Sequence, residues 1–157
     1  MRSLWILALA VFVTACGTSA SGGPTVDCSW TRPASATPPP LPARGDQNES
    51  VTQNGTPLFV HFNGTLAVRL PADGAMLIGR DGDGVKLGWI RLKEGALVVT
   101  ARRLDVPGTV RVDMADNYGT SGLQVTGIRF QGPGCYEVTG SVAGSPPLTF
   151  VTRAVVR

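Results

Sequence analysis

Nucleophilic catalysis needs a base beside a serine, threonine or cysteine, and the one imidazole in the chain is His61. It sits in the apolar run Leu58-Phe59-Val60-His61-Phe62, the setting of a packing or surface residue more than of a base. Gly119-Thr120-Ser121-Gly122 gathers glycines and a serine, but its spacing is not the Gly-x-Ser-x-Gly elbow that exposes a nucleophile. Cys28 and Cys135 lie far from the histidine in sequence. Zinc needs three or four ligands, and one histidine with two cysteines better used in a bridge does not supply them. Asp81-Gly82-Asp83-Gly84 has the acidic start of a calcium loop, yet an EF-hand would need an oxygen ligand at position 85 and a glutamate at 92. Val85 and Leu92 stand there, so the segment reads as a hairpin turn. Paired carboxylates for glycosidic chemistry would have to come from distant strands, because the acids are spread over loops. Arg102 and Arg103 would form a cationic strip with Arg91, Arg111 and Arg129 only if their strands were neighbours; otherwise they are solvated faces. The inventory nominates no reaction.

The elements that would position any such group are strands. Glycine and proline number 20 and 12 among the 157 residues, and every apolar run with helical spacing is broken by one of them. From Pro57 onward, short runs of β-type residues alternate with turn residues, the pattern of a sandwich or barrel. The expected strands cover 58–62, 65–70, 75–79, 85–92, 96–103, 109–114, 123–130, 135–142 and 148–156. Asn63-Gly64 between the first two is the strongest short hairpin signal in the chain. Leu97, Val99 and Ala101 share one face of their strand, and Val110 and Val112 point inward with Arg111 and Asp113 outward. Trp89 is the candidate core tryptophan. The formal net charge of +3 is small and scattered, with no basic run interleaved with aromatics, which argues against nucleic acid as a partner.

Before that domain the composition changes. Met1-Arg2-Ser3 carries one positive charge, and residues 4–13 are apolar. A bilayer core needs about 20 such residues, so the run fits a signal-peptide core and not a span. Val13-Thr14-Ala15-Cys16 then looks like the lipobox of bacterial lipoproteins: an aliphatic residue, two small ones, and the cysteine whose thiol takes a diacylglyceryl group. Small side chains suit the narrow site of a peptidase working beside the membrane. Two or three acyl chains on Cys16 would anchor the protein firmly, where one would be marginal. With Cys16 lipidated, Cys28 and Cys135 remain as an even pair in an oxidising compartment. A bridge between them would close most of the chain into one loop, worth about 4–5 kcal/mol in a loop-entropy estimate; the alternative is two independent thiols.

Residues 17–56 are built mainly from Gly, Ser, Thr, Pro, Ala, Asn and Gln, too poor in apolar side chains to offset chain entropy. Thr37-Pro38-Pro39-Pro40-Leu41-Pro42 favours extended polyproline geometry and reads as a spacer. If Cys28 pairs with Cys135, Asp27-Cys28-Ser29-Trp30-Thr31 is pinned to the domain and Trp30 covers apolar surface there. The sequons at Asn48, Asn54 and Asn63 read as turn signals in a bacterial setting.

Phe130 to Val138, Phe-x-x-Pro-Gly-x-Tyr-x-Val, resembles the penultimate-strand signature of many bacterial immunoglobulin-like domains. A tight turn there sends Tyr136 and Val138 inward and leaves Cys135, Glu137 and Thr139 outward, with Glu137 free of any partner. A bridge from Cys135 would then clamp the N-terminal segment to the outside or rim of the sandwich. Further blocks at 101–107, 117–124, 134–140 and 148–153, with Cys28-Ser29-Trp30-Thr31-Arg32-Pro33, are similar to successive blocks of a family of uncharacterised bacterial secreted or lipid-anchored proteins with an immunoglobulin-like domain. The likeness runs from Cys28 to the end and supports the Cys28–Cys135 pairing; Tyr136 stands where the pattern has tryptophan, which keeps an aromatic body. It implies a fold and a location, and no activity.

The expected protein is therefore all-β, an immunoglobulin-like β-sandwich of about seven to nine strands over 57–157. It follows a lipoprotein signal peptide at 1–15 and a flexible lipidated tether at 16–56, partly pinned at Cys28. Its expected place is the bacterial cell envelope, held to the membrane through lipid on Cys16, with its domain outside the cytoplasm. The expected role is a non-catalytic binding or interaction module for an envelope protein or glycan, with no metal and no cofactor. The loops at 80–84 and 116–122 are the candidate contact surfaces, with Arg80, Asp81, Asp83, Asn117 and Tyr118 as their distinctive side chains. A structural or accessory subunit of an envelope system shares all these features. An enzyme with a dispersed site, tested at His61, Asp81 and Asp83, is the remaining alternative.

Overall fold

The computed structural model describes residues 28–32, 52–53, 56–79 and 84–157. The expected signal peptide at 1–15, the expected lipidation site Cys16, most of the expected tether, and Arg80, Asp81 and Asp83 lie outside the described residues. In chain order the strands are β1 (Thr52–Gln53), β2 (Thr56–Phe62), β3 (Leu66–Pro71), β4 (Ala75–Ile78) and β5 (Val85–Arg91). They continue with β6 (Leu97–Arg103), β7 (Arg111–Met114), β8 (Gly122–Arg129), β9 (Gly134–Val142) and β10 (Leu148–Val156). A six-stranded sheet has the order β1-β2-β3-β5-β8-β7, and a four-stranded sheet has the order β4-β10-β9-β6. Their inner faces share one core, so the fold is the all-β sandwich expected from the pattern of short runs and turns.

Strand facing follows the period of two where one side is apolar. Leu97 and Val99 of β6 are buried while Val98 and Thr100 are exposed. Tyr136 and Val138 of β9 point into the core, both fully buried, as the alternation required. Trp89 is also fully buried, and its indole Nε1 donates to Thr126 Oγ1 at 3.0 Å, which satisfies the one polar atom of the largest core residue. It lies against Gly140, where an added Cβ would come within 2.4 Å of the indole. The glycine is thus a space requirement of the tryptophan opposite. Phe150 packs 6.0 Å from Trp89, and Phe130 packs 4.5 Å from Tyr136, ring centre to ring centre.

Two expectations need correction, and the sheet place of β4 is one the sequence pattern left open. Pairing begins upstream of position 57: Thr52 faces Pro57 and Gln53 faces Thr56, so β1 and the start of β2 belong to the sheet and not to the tether. The strand after the Asp73-Gly74 turn does not continue the β2–β3 meander. β4 crosses to the other sheet and runs parallel to β10, with Ala75 beside Arg153 and Ile78 beside Val156. Glu137 is not left without a partner, because β6 lies next to β9 and Arg102 Nε meets Glu137 Oε1 at 2.7 Å.

The remaining expectation concerns the N-terminal segment. Cys28 and Cys135 form a disulfide with their Cα atoms 5.6 Å apart. Cys135 faces the outer side of β9, yet it is only 4% exposed because that segment covers it. From Cys28 the chain reaches the edge of β10. There Thr31 N donates to Val151 O at 2.9 Å, and Val151 N donates to Thr31 Oγ1 at 2.8 Å. Trp30 sits beside Phe59, with ring centres 6.5 Å apart, and presses on Gly74. Gly74 is doubly required: its φ of +67° is left-handed, and a Cβ there would overlap the indole.

Replacing Cys28 with serine is expected to lower the unfolding free energy by about 2–5 kcal/mol in a urea titration. The intact chain with Cys16 acylated is expected to show no reactive thiol without reductant. An unchanged urea midpoint in Cys28→Ser would mean that the staple contributes nothing.

Candidate functional site

The sandwich has two unlike ends. Leu66 pairs with Arg91, Arg91 with Gly122, and Leu97 with Val142, which puts four turns at one end: 63–65, 92–96, 115–121 and 143–147. The other end holds the β8–β9 turn, the 104–110 loop and the last residues of β10. Ile78 pairs with Val156 and Val85 with Ile128, so Gly79 and Gly84 also stand at this second end. The described residues flanking positions 80–83 and the 116–122 loop therefore stand at opposite ends.

At the first end the turns are tied to one another. Asn63 Oδ1 accepts from the backbone N–H groups of Thr65 and Leu66 at 3.1 and 3.0 Å, which closes the hairpin turn. Its Nδ2 donates to Pro146 O at 2.8 Å, and Lys93 Nζ donates to Gly144 O at 2.9 Å. The most demanding tie is Arg91, a cation only 3% exposed at the end of β5. Nη1 donates to Gly95 O at 2.9 Å, while Nη2 donates to Gly119 O and, at 3.4 Å, to Ser121 O. Nε is buried without a partner among the described residues. No carboxylate among the described residues bonds this guanidinium; backbone carbonyl dipoles take the place of its lost water. Gly95 N donates in turn to Thr120 O at 2.8 Å.

Three consecutive residues of the 115–121 loop, Gly119, Thr120 and Ser121, are thus held by their carbonyls. The preceding residues are presented outward: Asp116 and Asn117 are exposed and Tyr118 is half-buried. Asn117 adopts φ 72°, a left-handed conformation that asparagine tolerates better than most residues. The result is a fixed tip offering a carboxylate, an amide and a phenol.

His61 is committed elsewhere. Its Nε2 lies 3.1 Å from Thr149 O, and since a carbonyl only accepts, that nitrogen carries the proton. Its Nδ1 is buried and has no partner among the described residues, so no nucleophile addresses it. The cationic strip does not form. Arg102 and Arg103 lie on the four-stranded sheet, and Arg91, Arg111 and Arg129 on the six-stranded one. Arg103 holds Asp105 at 2.7 Å, and Asp113 lies between Arg111 and Arg129 at 2.7 and 3.0 Å. No group of three or more His, Cys, Asp or Glu side chains is placed to hold a metal ion among the described residues. No helix among them is long and apolar enough to cross a membrane.

Comparison with family models, with curated proteins and with solved structures finds no match. The site rests on its own geometry. Asn117 and Tyr118 stand out in the sequence, whereas Arg91 reads there as one solvated cation among several. The available signal was position: a charged residue closing the apolar strand Leu87-Gly88-Trp89-Ile90, immediately before a turn.

Arg91→Met would remove the donors and leave three loop carbonyls unpaired. A destabilisation of about 1–3 kcal/mol is expected, with faster amide exchange confined to 92–96 and 115–121. Unchanged exchange in those loops would refute the clamp. The carboxyls of Asp105, Asp113 and Glu137 are held below the usual range by hydrogen bonds from Arg103, from Arg129 and Arg111, and from Arg102 respectively. A lowered folded-state pKa stabilises above the unfolded carboxylate value, about 4, and that contribution is lost as pH falls through the lowered value. Thermal melts should therefore drop on the acid side of about pH 4, and Asp113→Asn should flatten that limb while leaving its slope near neutrality unchanged.

Proposed function

We propose that the chain is a lipid-anchored protein of the bacterial cell envelope whose immunoglobulin-like sandwich presents a fixed loop to a partner without catalysing a reaction. The observation that carries this reading is the 115–121 loop. A buried arginine and a backbone donor hold its second half, while Asp116, Asn117 and Tyr118 project from its first. A tip already ordered loses little conformational freedom on binding, which favours recognition. The side chains offered there suit hydrogen bonding and stacking with an envelope protein or a glycan.

The immunoglobulin-like reading is supported by the corner before β9. Tyr136 OH donates to Gly132 O, four residues upstream, at 2.8 Å, the tie that a tyrosine corner makes in such sandwiches. Anchoring is supported by the lipobox-like Val13-Thr14-Ala15-Cys16 and by the disulfide, which suits an oxidising compartment. An accessory subunit of an envelope assembly would use the same tip, and the identity of the partner separates the two readings. The reading includes no cofactor, metal or nucleic acid.

A photo-cross-linking residue at position 117 in intact cells is expected to capture one reproducible protein or glycan. Tyr118→Ala should reduce that capture by about tenfold or more, as for an aromatic anchor, while the melting temperature stays within error. Capture of bulk envelope material alone, indifferent to Tyr118, would remove the reading.

A further inference from the structure

The point at which the chain leaves the domain gives the sandwich a direction relative to a membrane. Cys135 is the second residue of β9, next to the β8–β9 turn, and its disulfide fixes Cys28 there. Only positions 17–27 separate Cys28 from Cys16. Whatever their conformation, they span at most about 40 Å. β9 has nine residues, a length of about 30 Å. To bring the 115–121 loop to the surface that holds an acyl group on Cys16, those positions would have to spend about three-quarters of that reach running along the sandwich. The end bearing Cys135 needs no such stretch.

That end also has the chemistry of a lipid interface. A groove of about 450 Å³ opens there between Ile78, Phe130, Gly132, Pro133 and Val156. Val156 is 43% exposed, and Val106, on the neighbouring 104–110 loop, is 47% exposed. Gln131 Nε2 ties that loop to the rim of the groove through Thr109 Oγ1 at 2.7 Å. Arg153 and Arg157 are exposed at the same end. Arg153 donates to the backbone carbonyl of Asp73, and neither has a carboxylate partner among the described residues. The other exposed large apolar residues among those described, Val98 and Met114, stand singly on the strands β6 and β7 at the margins of the two sheets. Apolar side chains flanked by cations are the composition that seats a protein at an anionic interface.

The geometry points to this end as a membrane-seating surface: Val106, Val156 and the groove rest on an anionic phospholipid surface, with Arg153 and Arg157 at the headgroups. The 115–121 loop then faces away from the membrane. The inference rests on the acylation of Cys16 put forward above and adds an orientation to it.

Single nitroxide labels decide the orientation. Val106→Cys, Val156→Cys and Ser121→Cys are each labelled without reductant in the full-length chain, purified from cells in membranes and placed in phosphatidylglycerol-containing vesicles. The expected result is a several-fold higher ratio of oxygen to water-soluble nickel-chelate accessibility at 106 and 156 than at 121. Two positions guard against a local perturbation by either label. Equal, water-like ratios at all three sites in a protein whose Cys16 carries acyl mass would overturn the orientation and leave the anchor standing. A mature chain without acyl mass on Cys16, released from vesicles without detergent, would overturn the anchor and the inference with it.

Discussion

The bare edge of β10 is the constraint on which the rest of the arrangement depends. β4 runs parallel to β10 but pairs only with Arg153–Val156, so the first half of β10 has no strand on that side. An unpaired edge in the middle of a sandwich is both a loss of backbone hydrogen bonds and an invitation to wrong pairing. Three groups from elsewhere in the chain cover it. Gly74 O accepts from Arg153 N, Thr31 exchanges two bonds with Val151, and His61 meets Thr149 O. Two of the three come from outside the strand order altogether. The disulfide is what keeps Thr31 at that edge, since a few hydrogen bonds alone would not hold so short a segment against its chain entropy.

Among the described residues, several polar side chains of catalytic type have structural tasks. The single histidine seals an edge, and two cysteines fasten a segment. The arginines also have set tasks: Arg102 and Arg103 bond neighbouring carboxylates on one sheet, while Arg111 and Arg129 share Asp113 on the other. Exposed pairs of this kind contribute little to stability, but they leave those cations less free to gather around an anion. Arg91 is different, because its surroundings are carbonyls and its charge is buried. Removing water from a cation is costly, so the loop it organises gains rigidity from a group that does not repay its burial by a salt bridge.

The two ends of the sandwich follow from these ties. At one end, hydrogen bonds among four turns produce a stiff polar tip. At the other, the disulfide, the Tyr136 corner and an apolar groove lie close together. Under the proposed anchoring, an attachment at the second end would leave the first end open to a partner.

Much of the fold was legible in the sequence because period-two alternation and turn residues are local signals. Asn63-Gly64, the Leu97-Val99 face, buried Trp89 and the inward Tyr136 and Val138 were all read this way. β8 shows the limit: Gln124 and Thr126 are buried while Leu123 and Val125 are half-buried, because the Trp89 indole needs an acceptor and takes Thr126. Sheet membership was equally hidden. Nothing local in Ala75-Met76-Leu77-Ile78 says that it leaves its hairpin neighbours for a parallel place beside β10. Nor does an arginine in a strand announce whether it meets Glu137 or three carbonyls. By itself the sequence determined the all-β class, most strand spans from position 58 onward and the pair of cysteines, since these depend on residue type and near-neighbour spacing. Only the tertiary structure decided which loops share an end, which arginine is buried, and which edge the N-terminal segment closes. Those depend on partners distant in sequence, whose approach no local pattern encodes.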